Sequence, residues 1–139
     1  MKKRLAVVGA IVVLGISAGL LSGCNQAHLW LDRATADQFA QTAFTKFRAR
    51  EFRQLPMISQ FDEAHIKQGE VTAALLPTQA PLSSRLVDVE IASDELALVR
   101  RQYVYPDKTL ELAVGMQRDS AFDGWRLAGL SVTPADPAR

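Results

Sequence analysis

The chain has 139 residues, 48% of them hydrophobic and 22% charged, with a formal net charge of +1 and one cysteine. That length supports one domain with one core, and a lone cysteine excludes an intramolecular disulfide, so stability has to come from packing. Lys2, Lys3 and Arg4 account for three of the 16 basic residues, which leaves 13 basic against 15 acidic side chains after residue 23. A weakly acidic surface of this kind gives neither nucleic acid nor an anionic membrane surface an electrostatic hold.

The first predicted element follows that basic start. An unbroken apolar run extends from Leu5 to about Leu21, and Leu21-Ser22-Gly23-Cys24 closes it. Basic residues are costly to move across a bilayer, so the charged end stays on the cytoplasmic side while the apolar run threads into the membrane. An uncleaved transmembrane anchor is the alternative, but a spanning helix needs roughly 20 predominantly apolar residues. This run is shorter, carries Gly9, Gly15, Ser17 and Gly19, and ends on small residues instead of flanking charges. A branched aliphatic residue, two small residues and a cysteine at the end of an apolar run resemble a bacterial lipoprotein signal peptide. The resemblance implies cleavage between Gly23 and Cys24, thioether lipidation of Cys24 and acylation of the new amino terminus. Membrane attachment would then run through the lipid on Cys24. A sorting rule of enterobacterial lipoproteins retains those with aspartate after the cysteine; Asn25 stands there, which implies an outer-membrane protein facing the periplasm.

On this reading residues 1–23 are the signal peptide and residues 24–34 a lipidated tether, whose ~10 residues reach at most ~35 Å when extended. Trp30 in this stretch either rests in the headgroup region, which tryptophan favours, or packs on the domain as the lead-in to the first helix. That helix is predicted from Thr35 to Arg50. Thr35 serves as N-cap, Phe39, Ala40, Ala43, Phe44 and Phe47 recur at helical spacing, and Lys46, Arg48 and Arg50 suit the C-terminal dipole. The three phenylalanines read as the face that packs on a sheet. Leu55-Pro56 marks a break, a second helix is predicted from Ser59 to Lys67 with Gly69 ending it, and Glu70 to Leu76 reads as a third helical stretch stopped by Pro77. His65 has no partner at metal-ligand spacing and reads as an exposed helix residue in preference to a catalytic base.

From Ser84 onward the period changes to two. Val87, Val89 and Ile91 alternate with Asp88 and Glu90, placing the aliphatics inward and the carboxylates on a wet face. After a turn at Ala92-Ser93-Asp94, Leu96 to Tyr105 forms a second strand. Pro106-Asp107-Lys108 reverses the chain, Leu110, Leu112, Val114 and Met116 alternate on a third strand, and Trp125 to Val132 makes a fourth after a loop from Asp119 to Gly124. Residues 134–139 read as a frayed, disordered tail.

The expected fold is therefore α+β: a single domain over residues 35–133, with N-terminal helices packed on a four-stranded antiparallel meander. With its closing strand Gly124-Trp125-Arg126-Leu127-Ala128-Gly129-Leu130, it resembles the nuclear transport factor two-like, or cystatin-like, cone folds of many small bacterial lipoproteins. That architecture hosts enzymes, ligand binders and assembly modules alike. The sequence carries no Gly-rich phosphate loop, no serine-centred elbow and no metal-ligand cluster. The function expected is that of a non-enzymatic binding or assembly module without cofactor or metal, partnered by the membrane and by an envelope protein. A small-molecule-binding or enzymatic cone is the alternative. Arg100 and Arg101, adjacent in the second strand, bear on that choice, because successive strand residues face opposite ways and one arginine must share a face with the helix. It either reaches water or pairs with a carboxylate on a neighbouring strand, or it lines the open end of the cone with Tyr103 and Tyr105 as a site for an anionic group.

Overall fold

The computed structural model describes residues 26–58 and 62–136. The apolar N-terminal run, Gly23 and Cys24, the expected helix start at Ser59 and the last three residues of the tail lie outside these. Among the described residues no helix is long and apolar enough to cross a membrane.

The first helix, α1, spans Gln26–Arg48 and so begins nine residues before the expected start. Its core-facing positions explain the extension. Asp32, Ala36, Ala40, Ala43, Phe44 and Phe47 are buried and recur every three or four residues, so the stripe that the phenylalanines announce continues upstream through Asp32. Residues 26–34 are thus helical, not an extended tether, and Thr35 is interior: its hydroxyl donates to the Asp32 carbonyl at 3.1 Å. Trp30 does not pack on the domain, being 70% exposed. Three fully buried alanines let α1 lie close to the sheet, with Phe44 and Phe47 wedged alongside.

The helix ends in a Schellman arrangement. The Glu51 N–H reaches the Lys46 carbonyl at 2.7 Å and the Arg50 N–H the Phe47 carbonyl at 3.0 Å, which puts Arg50 in the left-handed region at φ 64°. Glycine usually fills that position, since a side chain there costs ~1–2 kcal/mol. Arg50 offsets the strain by donating to the carbonyls of Phe47, Arg48 and Leu76.

A 3-10 turn at Phe52–Gln54 follows, and then one helix, α2, spans Glu63–Ala74 where two short ones were expected. Gly69 does not end it. A Cβ at Gly69 would come within 2.8 Å of Phe52 Cδ1 and Cζ, so glycine is there to admit the Phe52 ring, which stacks on Phe47 at 5.1 Å. Asp62 caps α2 by accepting from the His65 N–H at 2.9 Å.

The sheet is an antiparallel meander in the order β1-β2-β3-β4, with β1 at Ser83–Ser93, β2 at Leu96–Tyr105, β3 at Lys108–Gln117 and β4 at Arg126–Pro134. Two helices on a four-stranded antiparallel sheet make the α+β architecture expected. The second strand is placed as predicted. The fourth runs past Val132 to Pro134, and the Ala135 N–H bonds the Thr109 carbonyl at 2.9 Å, so the beginning of the expected frayed tail is still held to the sheet. One face buries Val89, Val99, Tyr103, Leu112, Val114 and Met116 beneath α1. In β1 the alternation slips: a bulge between Leu86 and Asp88 throws Val87 out of register, leaving it 39% exposed where burial was expected. Asp88 and Glu90 are exposed as expected. A second register shift in β1 and one opposite Gly115/Met116 in β4 interrupt the ladder, and such bulges bend and twist the strand that carries them. Beyond β4, Pro56 to Ile58 pair with Leu127 and cover that edge; β1 forms the opposite margin of the sheet.

Candidate functional site

Strand alternation divides the two arginines as the sequence requires. Arg100 faces away from the helices and pairs with Asp88 on β1 at 2.8 Å. Arg101 points under α1, where its Nη1 donates to both carboxylate oxygens of Asp37 at 2.9 and 3.2 Å. Its partner thus comes from the helix and not from a neighbouring strand. Tyr103 and Tyr105 share Arg101's face, so the structure brings three of the four candidate residues together and separates Arg100 from them.

This inner row is buried and partly unpaired. Tyr103 lies flat against Phe44, with ring centroids 3.7 Å apart and planes at 8°. Arg48 stands above the same Phe44 ring at 5.9 Å and donates to the Thr78 carbonyl at 2.9 Å. Among the described residues the Tyr105 hydroxyl, Arg101 Nε and Arg48 Nε have no hydrogen-bond partner, and the Tyr103 hydroxyl has only the Arg101 guanidinium beside it. Burial pushes the Tyr103 phenol up to about 12, against the pull of the Arg101 charge beside it. Tyr105 is also raised by burial, with Arg48 acting in the opposite sense. Both phenols therefore stay neutral at physiological pH. Neither is poised as a base.

A second buried cluster joins the start of α1 to the far end of the sheet. Arg118, just beyond β3, is 4% exposed. Its Nη2 lies 2.9 Å from Asp32, with the two side chains 4% and 9% exposed. Its Nε donates to the Asp94 carbonyl at 2.6 Å, and its guanidinium covers the Trp125 ring at 4.0 Å. The indole N–H of Trp125 donates in turn to Thr35 Oγ1 at 3.2 Å. Sequence reasoning singled out Trp125 but missed both charged members. Asp32 was legible in principle, since it stands four residues before Ala36 on the buried stripe. Arg118 carries no local signal, because its polar partners lie 24 and 86 positions away.

A cavity of about 80 Å³ lies between α2 and β4, lined by Phe47, Phe52, Met57, Thr72, Leu127 and Leu130 among others. That is well below the ~300 Å³ at which ligand pockets begin. His65 sits at its margin, half-buried and not simply exposed as expected, with Nδ1 2.6 Å from Asp62 Oδ1. The His65 backbone N–H, and then its ring, hold the Asp62 carboxyl below its usual range. Among the described residues no group of three metal-ligating side chains converges. The chain matches no protein-family model, no curated protein and no solved structure.

Proposed function

We propose that this protein is a cell-envelope lipoprotein, anchored through Cys24 and acting as a non-enzymatic binding or assembly module on the periplasmic side of the outer membrane. The observation that carries the reading is the placement of Leu21-Ser22-Gly23-Cys24 two positions ahead of a helix that belongs to the fold. The Asp32–Arg118 pair and the bond from Arg33 Nη1 to the Val89 carbonyl at 2.9 Å tie the start of that helix to the sheet. On this reading the domain stands close to its acyl chains, since only Asn25 separates Cys24 from α1. The long helix packed on a four-stranded meander with bulges in β1 and β4 supports a nuclear transport factor two-like cone as the finer fold.

Binding is favoured over catalysis by the state of the inner row: Arg101 is neutralised by Asp37, and both phenols are held protonated. One observation favours a second reading, a small-molecule cone. Three buried polar atoms between α1 and the sheet, on Arg48, Arg101 and Tyr105, lack partners, and a polar ligand or ordered water entering there would satisfy them.

Metabolic labelling with a fatty acid tests the anchor. Wild-type protein takes up label and migrates as the processed form, while Cys24→Ser accumulates as unlabelled precursor. Labelled, processed Cys24→Ser would reject the assignment. Cross-linking in native membranes separates the two readings, since an assembly module yields a discrete protein partner and a small-molecule cone yields none.

A further inference from the structure

Large apolar side chains stand exposed at one end of the domain. Trp30 and Leu31 on the early turns of α1 are 70% and 52% exposed, and Phe122 in the β3–β4 loop is 93% exposed. The buried Arg118 gathers them. Its side chain reaches Asp32 on α1 and the Asp94 carbonyl in the β1–β2 turn, while its own N–H bonds the Glu95 carbonyl at 3.0 Å. The start of α1, that turn and the β3–β4 loop therefore share one end of the molecule.

Phe122 is held outward by its loop. The Asp123 N–H bonds the Ser120 carbonyl at 3.1 Å, Ser120 Oγ accepts from the Phe122 N–H at 3.2 Å, and the same hydroxyl donates to Asp123 Oδ2 at 3.0 Å. On α1, each residue advances about 100°, so Trp30 lies roughly 200° from Asp32 and points away from the sheet that Asp32 faces. The chain also enters here. Cys24 stands two positions before Gln26, and two residues span at most ~7 Å.

We infer that this end of the domain, through Trp30, Leu31 and Phe122, is seated in the headgroup layer of the bilayer that holds the Cys24 lipid, which fixes the orientation of the whole domain on the membrane. The inference rests on the lipid anchor proposed above. Lipid is the occupant because the reach from Cys24 to α1 is no longer than the ~5–10 Å to which interfacial side chains bury, and because tryptophan favours that layer. Charge does not drive the contact. Asp94, Glu95, Asp119 and Asp123 surround this end, and of these Asp119 is paired with Arg126 at 2.6 Å. Anionic lipid would thus oppose seating, and zwitterionic vesicles are the appropriate probe.

The test uses the processed, acylated protein extracted from membranes and reconstituted into phosphatidylcholine vesicles with brominated acyl chains. Trp30 and Trp125 are the two tryptophans, and Trp125 is only 6% exposed, so lipid-dependent quenching reports Trp30. The expected result is a blue-shifted Trp30 emission, quenched by brominated chains and protected from aqueous iodide. Trp30→Phe should lose the lipid quenching, and adding Phe122→Trp to that variant should restore it. Acylated, vesicle-bound protein whose Trp30 is quenched by iodide and untouched by brominated chains would overturn this inference and leave the anchor standing. Shielding from both quenchers, together with a cross-linked protein at this end, would assign the surface to a protein partner and also overturn it. Protein without acyl mass that fails to float with vesicles would overturn the anchor and this inference together.

Discussion

The Asp32–Arg118 pair is the most demanding test of how α1 is held. Removing one charge of a buried pair strands the other and costs ~3–5 kcal/mol. The geometry sets the value at the low end. The Nη2 approaches Asp32 at 2.9 Å without hydrogen-bond alignment, whereas the aligned bond from Nε to the Asp94 carbonyl and the stacking on Trp125 survive when Asp32 is removed. Asp32→Leu should therefore cost about 3 kcal/mol. At ~4–8 °C per kcal/mol for a domain of roughly this size, the melting temperature should fall by roughly 12–24 °C. Arg118→Met should cost more, because it also frees the Asp94 carbonyl and uncovers Trp125. The Asp32→Leu/Arg118→Met double variant should be more stable than Arg118→Met alone and lose much less than the two single effects combined, since a buried pair replaced by apolar groups of similar size is often close to neutral. Thermal melting of the protein from Asn25 onward, followed by circular dichroism, gives the full cycle. Single variants that melt within a few degrees of wild type, or effects that simply add, would refute the claim that this pair docks the helix.

Phe44→Ala should cost ~3–5 kcal/mol in the same assay, because it removes a buried ring and the stack on Tyr103; an unchanged melting temperature would mean that α1 does not pack here. Gly69→Ala should destabilise the domain, although the same change at an open helix position gains about 1 kcal/mol. The added Cβ meets the Phe52 ring, which its stacking on Phe47 prevents from moving aside, and a stabilised variant would contradict that packing. The Tyr103 phenol ionises near 10 when unfolded and at about 12 when folded. Its stabilising contribution is therefore complete below pH ~10 and disappears as pH rises toward 12, a loss of about 2–3 kcal/mol. Tyr103→Phe should flatten that part of the stability profile, and an identical decline in both proteins would contradict the raised phenol.

Much of the fold was legible because its periods are local. The alternating Leu110, Leu112, Val114 and Met116, the helical Phe39 to Phe47 stripe and the Pro106-Asp107 reversal each declare an element within a few residues. Where the reading failed, a contact or a backbone irregularity had overridden a local signal. Gly69 looked like a helix stop, but its physical reason is the Phe52 ring packed against it. Val87 followed the alternation of β1 until a bulge removed it, and bulges leave no mark in a period-two pattern. The row formed by Arg101, Tyr103 and Tyr105 followed from strand geometry alone. Its carboxylate partner did not, because Asp37 is 64 residues away on a helix whose rotation over the sheet no local pattern specifies.

The intact mass of the protein extracted from membranes bears most directly on the central claim. A chain that starts at Cys24 and carries a diacylglyceryl group and an amide-linked acyl chain is the result this account predicts. A membrane-bound chain that retains Met1 and carries no acyl mass would contradict it.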